Sequence, residues 1–371
     1  MLFGGPPKKN CASELDIPLS DSSDALTNTV SCIAWASQQI LPTFATSDWD
    51  ACIRIWNVNS GPDALALKDC FDAKSPCLSV NWHQDETKLF TGCIDGTIQA
   101  FDIASGKSEV IGYHQNAVKN VYWLQDSNAL VSVSFDETVR FWDPREGGHV
   151  AGFILEYKPF CSDLLFPYLA LGCSDLKTMV VDLRDAQRIL GNETVRLQKY
   201  MKPNFSSHPH SQISCIKLVH FGNERLSVIV GTNDGRCNVS TISPEADKLD
   251  SLLTFKAHKS ETSPQTVYSV NSVGFHPIMG RDLCYTGGGN GTMLFWDTTR
   301  KKWLTRFDFK GKPVTQCVMD PSGKYMAYAL GCDWARGLHS DTSQPPKVFV
   351  HRVQDRELDG ATAADNPVEY P

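Results

Sequence analysis

One stretch of the sequence combines residue types that bind anions. The segment RKKWLTRFDFKGK, residues 300–312, carries six basic residues and one acidic residue in a chain of net charge -7. The six are Arg300, Lys301, Lys302, Arg306, Lys310 and Lys312. Such a cluster is a candidate site for peptide carboxylates or RNA phosphates. The interleaved Trp303, Phe307 and Phe309 suit stacking of single-stranded bases. A solvated outer strand with Trp303 and Phe307 packed inward is an equally open interpretation.

A second candidate is Trp49, which stands between Asp48 and Asp50 in a predicted turn. A Trp in such a turn is more exposed than a core Trp, and exposed Trp often marks an interface. Packing against a neighbouring repeat would explain the residue as well.

Motifs for catalysis are weak in this sequence. GKS at 106–108 resembles the end of a phosphate-binding loop, but Phe101 occupies the position of that loop's first glycine. GGGNG at 287–291 precedes a strand, and HPH at 208–210 has no further ligand at metal spacing. We therefore predict a non-enzymatic protein without cofactor or metal. A hydrolase or metal-dependent enzyme is a third hypothesis, and it requires a metal or converging carboxylates.

Composition excludes several classes of protein. Apolar residue types make up 42% and charged types 21%, which is typical of a globular chain. No apolar run reaches the roughly 18 residues of a membrane span, and the first residues lack the apolar core of a secretory signal. The thirteen Cys residues show no C-x-x-C spacing, which favours reduced thiols in the nucleus or cytoplasm. The acidic balance requires any anion site to be a local patch.

The elements that must position these residues come from an internal repeat. Five short β-rich runs read IRIWNV, IQAFDI, VRFWDP, MVVDL and MLFWDT. Each has an aromatic or β-branched residue near its end, which we call the anchor. The first four anchors are 45, 41 and 39 residues apart. Weaker copies, CNVSTI and KVFVHRV, bring the number to seven. An Asp or Asn stands six residues before each of the first six anchors, which is hairpin-turn chemistry. Alternating strands such as VSCIAW at 30–35 and CLSVNW at 77–82 precede the hairpins.

This pattern predicts an all-β fold, a single seven-bladed WD-repeat β-propeller. We expect an N-terminal extension at 1–28, the propeller at 29–354 and a disordered tail at 355–371. Within the extension, SELDIPLS at 13–20 is a candidate strand that pairs with the last blade. The recurring Asp residues are expected to form turns, and His114 and His258 are expected to be structural.

Three longer stretches carry a resemblance to a known family. They are YHQNAVKNVYW (113–123), AHKSETSPQTVYSVNSVGFHP (257–277) and LGCDWARGLHSDTSQPPKVFVHRV (330–353). The chain resembles the mRNA-export propellers of the nuclear pore, the Rae-one or Gle-two family, over about 14–355. The sister family of budding-uninhibited spindle-checkpoint propellers fits WDACIRIW (49–56) and TVRFWDPR (138–145) equally well. Asp333-Trp334 and the N-terminal extension favour the export family.

The resemblance implies a binding function. Members of these families bind a short hairpin, the GLEBS motif, of an FG-repeat nucleoporin or a checkpoint kinase. Basic side chains meet its acidic residues, and exposed aromatics meet its apolar ones. The implied partner-binding residues in this chain are Trp49, Phe135, Arg236, Lys301, Lys302 and Trp334. Phe135 stands where the family often has Trp, so it is a weaker anchor.

The sequence therefore predicts an adaptor that binds a nucleoporin GLEBS motif and supports mRNA export. The alternative is a spindle-checkpoint adaptor that binds a kinase GLEBS motif at kinetochores. We expect a monomeric propeller at the nuclear envelope and pore, shuttling to the cytoplasm, with no membrane contact. Single-stranded RNA is a possible second partner, held by the six basic residues of 300–312.

Overall fold

The alternating apolar runs of the repeat form β-strands throughout the computed structural model. The structure describes residues 10–11, 16–18, 26–37, 41–59, 65–125, 127–145, 148–175, 177–185, 200–201, 211–221, 225–243, 248–260, 263, 266–335, 337, 342 and 345–358. These residues divide into two compact units, residues 20–202 and residues 1–19 with 203–371. We call them the first and the second unit.

Two short strands lie in the N-terminal extension and belong to the second unit: β1 (Asn10–Cys11) and β2 (Asp16–Pro18). The first unit then holds four sheets, which we call blades one to four. Blade one contains β3 (Val30–Trp35), β4 (Thr43–Asp48), β5 (Cys52–Val58) and β6 (Leu65–Asp72). Blade two contains β7 (Cys77–Trp82), β8 (Lys88–Cys93), β9 (Thr97–Asp102) and β10 (Ser108–Tyr113). Blade three contains β11 (Val118–Leu124), β12 (Ala129–Ser134), β13 (Thr138–Asp143) and β14 (Gly148–Ile154). Blade four contains β15 (Pro159–Leu165), β16 (Tyr168–Cys173), β17 (Thr178–Asp182) and β18 (Tyr200–Met201).

The second unit holds blades five to seven. Blade five contains β19 (Ile213–Phe221), β20 (Arg225–Thr232), β21 (Arg236–Ser243) and β22 (Lys248–Lys256). Blade six contains β23 (Val270–His276), β24 (Gly280–Gly288), β25 (Thr292–Asp297) and β26 (Lys302–Asp308). Blade seven contains β27 (Val314–Met319), β28 (Tyr325–Leu330) and β29 (Lys347–Arg352), followed by the short helix α1 (Asp355–Leu358).

Each blade is an antiparallel meander, and we letter its strands a to d. In blade seven the d position is taken by β2, which pairs antiparallel with β29 through Asp16 and His351. β1 adds a fifth strand to blade six by pairing parallel with β26. Seven such sheets confirm the predicted all-β, seven-bladed propeller fold. Strand a of blades one and two coincides with the alternating runs VSCIAW and CLSVNW identified in the sequence.

The ordered chain extends beyond the expected propeller boundary at 354. α1 forms there because Glu357 is buried and its carboxylate accepts a hydrogen bond from the Gln354 backbone N–H at 2.9 Å, which is half of a capping box. The remaining tail, 359–371, lies outside the described residues, as does HPH at 208–210.

A buried polar chain holds each of two Trp anchors. In blade three, Trp142 Nε1 donates a hydrogen bond to Ser132 Oγ at 2.7 Å. The His114 ring is hydrogen-bonded through Nε2 to the same Ser132 Oγ at 2.7 Å and through Nδ1 to the Asp136 carboxylate at 2.9 Å. Blade six repeats the arrangement with Trp296, Thr286, His258 and Asn290. The structural roles predicted for His114 and His258 are confirmed.

The turn roles predicted for the recurring Asp and Asn residues are confirmed as well. Asp95, Asp136 and Asn290 each accept the backbone N–H of the residue two positions later, at 3.0 to 3.3 Å. Gly288 in GGGNG lies against His258, because a Cβ there would come within 2.3 Å of the imidazole ring. Gly106 in GKS has a φ of 68° and forms the turn before β10. The two glycines therefore serve close packing and a turn, respectively.

No helix within the described ranges has the length and apolarity needed to cross a membrane. The same part of the chain contains no group of three or more His, Cys, Asp or Glu side chains placed to hold a metal ion.

Candidate partner-binding surface

The turn between strands b and c has the same construction in every blade. Its first residue donates a backbone hydrogen bond to the residue before strand a, as Trp49 does to Thr29 at 3.0 Å and Phe135 to Ala117 at 3.0 Å. The first residues in blades one to seven are Trp49, Ile94, Phe135, Ser174, Asn233, Gly289 and Gly331. The side chain at this position is therefore large and apolar in blades one to three and small or polar in the other four.

Trp49 is 41% exposed, as an interface residue should be. The turn beneath it is held by Arg54, a buried residue on β5. Its guanidinium donates to the carboxylates of Asp48 and Asp50, and the Nη2–Oδ2 distance to Asp50 is 2.9 Å. Thr27 Oγ1 also donates to Asp50 at 2.7 Å. Blade one has no His in this position, so Arg54 supplies the polar support that His114 supplies in blade three.

The two carboxylates below Trp49 have pKa values on opposite sides of the usual range. Burial raises the pKa of Asp48 to about 8, helped by the hydrogen bond with Asp50. Burial alone would also raise the pKa of Asp50, but hydrogen bonds from Asp48, Arg54 and Thr27 outweigh it and lower the value. The pair thus holds one proton near neutral pH, and one guanidinium balances the remaining charge.

Phe135 is half-buried, with its ring 6.4 Å from that of Phe160 in an edge-to-face arrangement. It is therefore a smaller anchor than Trp49. Three exposed apolar residues at this end of blades two and three were not predicted from the sequence. They are Ile94, Tyr113 and Ile154. A signal was available, because each lies in a b–c turn or at the end of a d strand, where the repeat places exposed positions.

Arg236 begins strand c of blade five, directly after the b–c turn. Its Nε lies 3.1 Å from Asp234 Oδ2, so part of its charge is balanced within the turn. Trp334 follows strand b of blade seven and is 46% exposed, with a φ of 57°. Asp333 fixes this loop by accepting hydrogen bonds from Ala335 N at 3.1 Å and from Asn271 Nδ2 at 3.3 Å. A non-glycine residue with positive φ and an exposed indole is typical of a functional loop.

The basic stretch 300–312 does not form one patch, and the sequence grouping needs correction here. Arg300 and Lys301 occupy the c–d turn of blade six, and Lys302 is in register with Asp297. The other end of β26 is in register with Thr292, beside the b–c turn, and Lys310 and Lys312 follow it there. Seven residues of extended strand separate the two groups by roughly 20 Å. Lys301 and Lys302 therefore lie away from Arg236 and Trp334.

Two aromatic residues of this stretch belong to the core. Phe307 and Phe309 are buried, and their rings pack on Phe295 at 5.5 Å and on Tyr328 at 4.8 Å. Trp303 is half-buried against the core shared by blades five and six. Arg306 lies mid-strand with its Nη2 3.5 Å from Asp308. The interpretation as an outer strand with inward aromatics is therefore correct, and Phe307 and Phe309 cannot stack on bases.

A different set of basic residues gathers at the b–c end of the second unit. Lys256 is in register with Arg236 at the end of β22, and Lys259 follows His258, which bonds the b–c turn of blade six. Together with Lys310 and Lys312 they are exposed, and none has a carboxylate partner in the described part of the chain. We call Lys256, Lys259, Lys310 and Lys312 the lysine group. Sequence reasoning missed Lys256 and Lys259 because they come from another blade.

Acid should weaken the fold through His258. Burial lowers the pKa of this imidazole to about 4, against a small opposing effect of Asn290. The unfolded chain binds this proton near pH 6.5 and the folded chain does not, so stability present above pH 6.5 is lost as pH falls toward 4. We expect His258→Gln to remove about 2 kcal/mol of the stability change between pH 7 and 4.5. Urea unfolding at both pH values measures it, and parallel pH slopes for the two proteins would contradict it.

Comparisons with known proteins agree with this fold. The family model for the WD domain, G-beta repeat matches residues 22–57, 67–102 and 108–143. A crystal structure of the WD40 repeats of RRP9 superposes with a TM-score of 0.71 at 16% identity, covering 93% of this chain and 99% of that chain. At that identity the likeness shows the fold alone.

Curated relatives are more specific. A protein of Schizosaccharomyces pombe named Poly(A)+ RNA export protein is 27% identical, with 85% of each chain covered. The Caenorhabditis elegans mRNA export factor rae-1 is 27% identical, with 95% of this chain and 94% of the relative covered. Protein Rae1 of Drosophila melanogaster is 25% identical over 95% of this chain and 98% of its own length. The resemblance identified from residues is confirmed: the chain is a seven-bladed WD40-repeat propeller that resembles the mRNA export factors.

Proposed function

We propose that this protein is a non-enzymatic adaptor of mRNA export that binds a GLEBS-type motif of an FG-repeat nucleoporin through its b–c turns. The names of the relatives support a role in mRNA export. The observation that carries the binding role is the lysine group beside Trp334 and Arg236. Four exposed ammonium groups, which have no carboxylate partner among the described residues, and an exposed indole at one end of the second unit suit a ligand with both carboxylates and apolar side chains.

The first unit supports the proposal independently. Trp49, Ile94 and Phe135 occupy the same turn position in three consecutive blades, and Arg54 braces the turn of Trp49. Preformed aromatic anchors on a rigid scaffold bind with little backbone change. Apolar residues of the motif would contact these turns. Single-stranded RNA suits the surface less well, because Phe307 and Phe309 are buried and the basic stretch is divided.

The proposal also places the protein at the nuclear envelope and pore, as a monomeric propeller that shuttles to the cytoplasm. It is tested by rapid depletion of the protein and hybridisation of poly(A) RNA in interphase cells. We expect poly(A) RNA to accumulate in nuclei and a tagged wild-type copy at the nuclear rim to restore its distribution. Normal poly(A) RNA with a mitotic delay, and the tagged copy at kinetochores, would instead support the checkpoint role and overturn the export role.

A further inference from the structure

A cavity lies at the opposite end of blade six from the lysine group. It is bounded by the a–b turn, the c–d turn and α1, and its volume is about 470 Å³. Leu283, Leu304 and Leu358 form an apolar floor, and the carboxylates of Asp282, Asp297 and Asp355 line it as well. A cavity of this size accepts a few side chains or a small ligand.

The wall that carries Asp355 and Leu358 is fixed in place. Glu357 Oε2 lies 2.9 Å from His351 Nε2 in the interior, and Thr305 Oγ1 donates to the Glu357 carbonyl at 2.9 Å. These contacts tie α1 to β29 and β26. Leu358 packs against the core of blades six and seven. The cavity is therefore preformed, so the protein loses little conformational entropy when a ligand binds.

The a–b turn presents two apolar side chains beside the cavity. Ile278 is 75% exposed and Met279 is 43% exposed. The turn is ordered, because the ring nitrogen Nδ1 of His276 accepts the backbone N–H groups of Ile278 at 3.2 Å and Met279 at 3.3 Å. Apolar side chains held outward by a rigid turn next to a cavity are typical of an interaction site.

The charges of the lining residues indicate which kind of ligand this cavity would bind. The three aspartates face a single guanidinium among the lining residues, that of Arg300, which is 56% exposed and 3.6 Å from Asp297. Asp282 accepts a hydrogen bond from Thr299 Oγ1 at 3.2 Å and lies 3.9 Å from Arg281 Nε. Asp355 has no ion pair within the described residues. Among the lining residues the three carboxylates outnumber the one guanidinium, while Arg281, Lys301 and Lys302 adjoin these residues in the chain and are not part of the lining. The lining itself complements a ligand that is apolar and cationic.

We propose that this cavity binds a segment of a partner protein in which an apolar side chain is followed by a cationic one. The apolar side chain packs on Leu283, Leu304 and Leu358, and the cation pairs with Asp282 and Asp355. This surface is separate from the b–c turns, so occupation of one does not block the other within blade six. The protein could then join a basic partner to the acidic ligand proposed for the lysine group.

The test uses Met279 as a reporter in the full chain. Met279 is 43% exposed, whereas Met179, Met293, Met319 and Met326 are buried. The chain is labelled with ¹³C at the methionine methyl groups, and Met279→Leu assigns the signal. It is titrated with the peptide acetyl-Leu-Arg-Leu-Arg-amide and with acetyl-Leu-Glu-Leu-Glu-amide. We expect a saturable shift of the Met279 signal with the first peptide and none with the second.

Variants complete the test. Asp282→Asn with Asp355→Asn should weaken binding of the arginine peptide about fivefold to tenfold, as expected for the loss of two partly exposed ion pairs. Lys310→Gln with Lys312→Gln, at the other end of the blade, should leave it unchanged. Unaltered signals of the buried methionines show that each variant is folded. Equal shifts with both peptides, no shift of Met279, or full binding by the double Asn variant would overturn the proposal.

Discussion

Replacing Arg54 with methionine is expected to lower the free energy of unfolding by about 3–5 kcal/mol, the cost of breaking a buried ion pair by removing one partner. The guanidinium is 6% exposed and contacts two carboxylates, of which Asp48 is fully buried. Without it, the charge shared by Asp48 and Asp50 has no compensating cation. Methionine fills much of the same volume, so the loss reports the charge rather than a cavity.

The chain offers a matched control in blade three. Arg140 stands four residues after Asp136, as Arg54 stands four residues after Asp50, but Arg140 is 20% exposed and 3.5 Å from its carboxylate. Asp136 also keeps its hydrogen bond to His114. Arg140→Met should therefore cost about 1 kcal/mol or less.

Urea unfolding of both variants at pH 7 measures the difference. Adding Asp50→Asn to Arg54→Met should restore part of the lost stability, because it removes the carboxylate of the pair whose pKa is lowered and which therefore carries the charge. If the two arginine variants are equally stable, Arg54 does not have the supporting role that the structure gives it.

Much of the fold could be predicted because its signals are local. The six residues from each Asp to its anchor contain one turn and one strand, so this signal lies within a single hairpin. The alternation of apolar and polar residues in VSCIAW or CLSVNW predicts a strand with one buried face. The supporting role of Arg54 in blade one was not predicted, although the sequence shows that no His begins that repeat. α1 was missed because four residues carry little periodic signal, and its stability comes from the contact between Glu357 and His351.

The candidate surface was harder to predict because it is assembled from different blades. The thirteen consecutive residues 300–312 suggested one anion site. In the structure they span the whole of one strand, so their basic residues lie in two groups at its opposite ends. Lys256 joins Lys310 at one end although the two positions are 54 residues apart in the sequence. Such proximity depends on strand register, and a charge count along the sequence does not contain it.

The second large effect concerns the lysine group. Lys310→Glu with Lys312→Glu places two negative charges where we expect acidic groups of the nucleoporin motif to bind, and like charges at an interface are strongly unfavourable. We expect co-purification of the nucleoporin to fall at least about tenfold. Trp49→Ala should lower it by a similar factor, since buried Trp anchors often contribute 2 kcal/mol or more to binding.

Arg300→Glu with Lys301→Glu is the matched control. It makes the same change of charge in the same blade, at the end away from the b–c turns. The sequence alone predicts that all four residues belong to one basic patch. Different effects of the two double variants would therefore support two separate groups, as in the structure, and equal effects would support a single patch.

The most direct test is therefore quantitative affinity purification of the tagged wild-type protein and these variants from interphase cells, with the co-purifying chains measured by mass spectrometry. We expect an FG-repeat nucleoporin in stoichiometric yield with the wild type and with Arg300→Glu/Lys301→Glu, and its loss with Lys310→Glu/Lys312→Glu. Equal recovery with both charge-reversal variants, or no nucleoporin with the wild type, would contradict it.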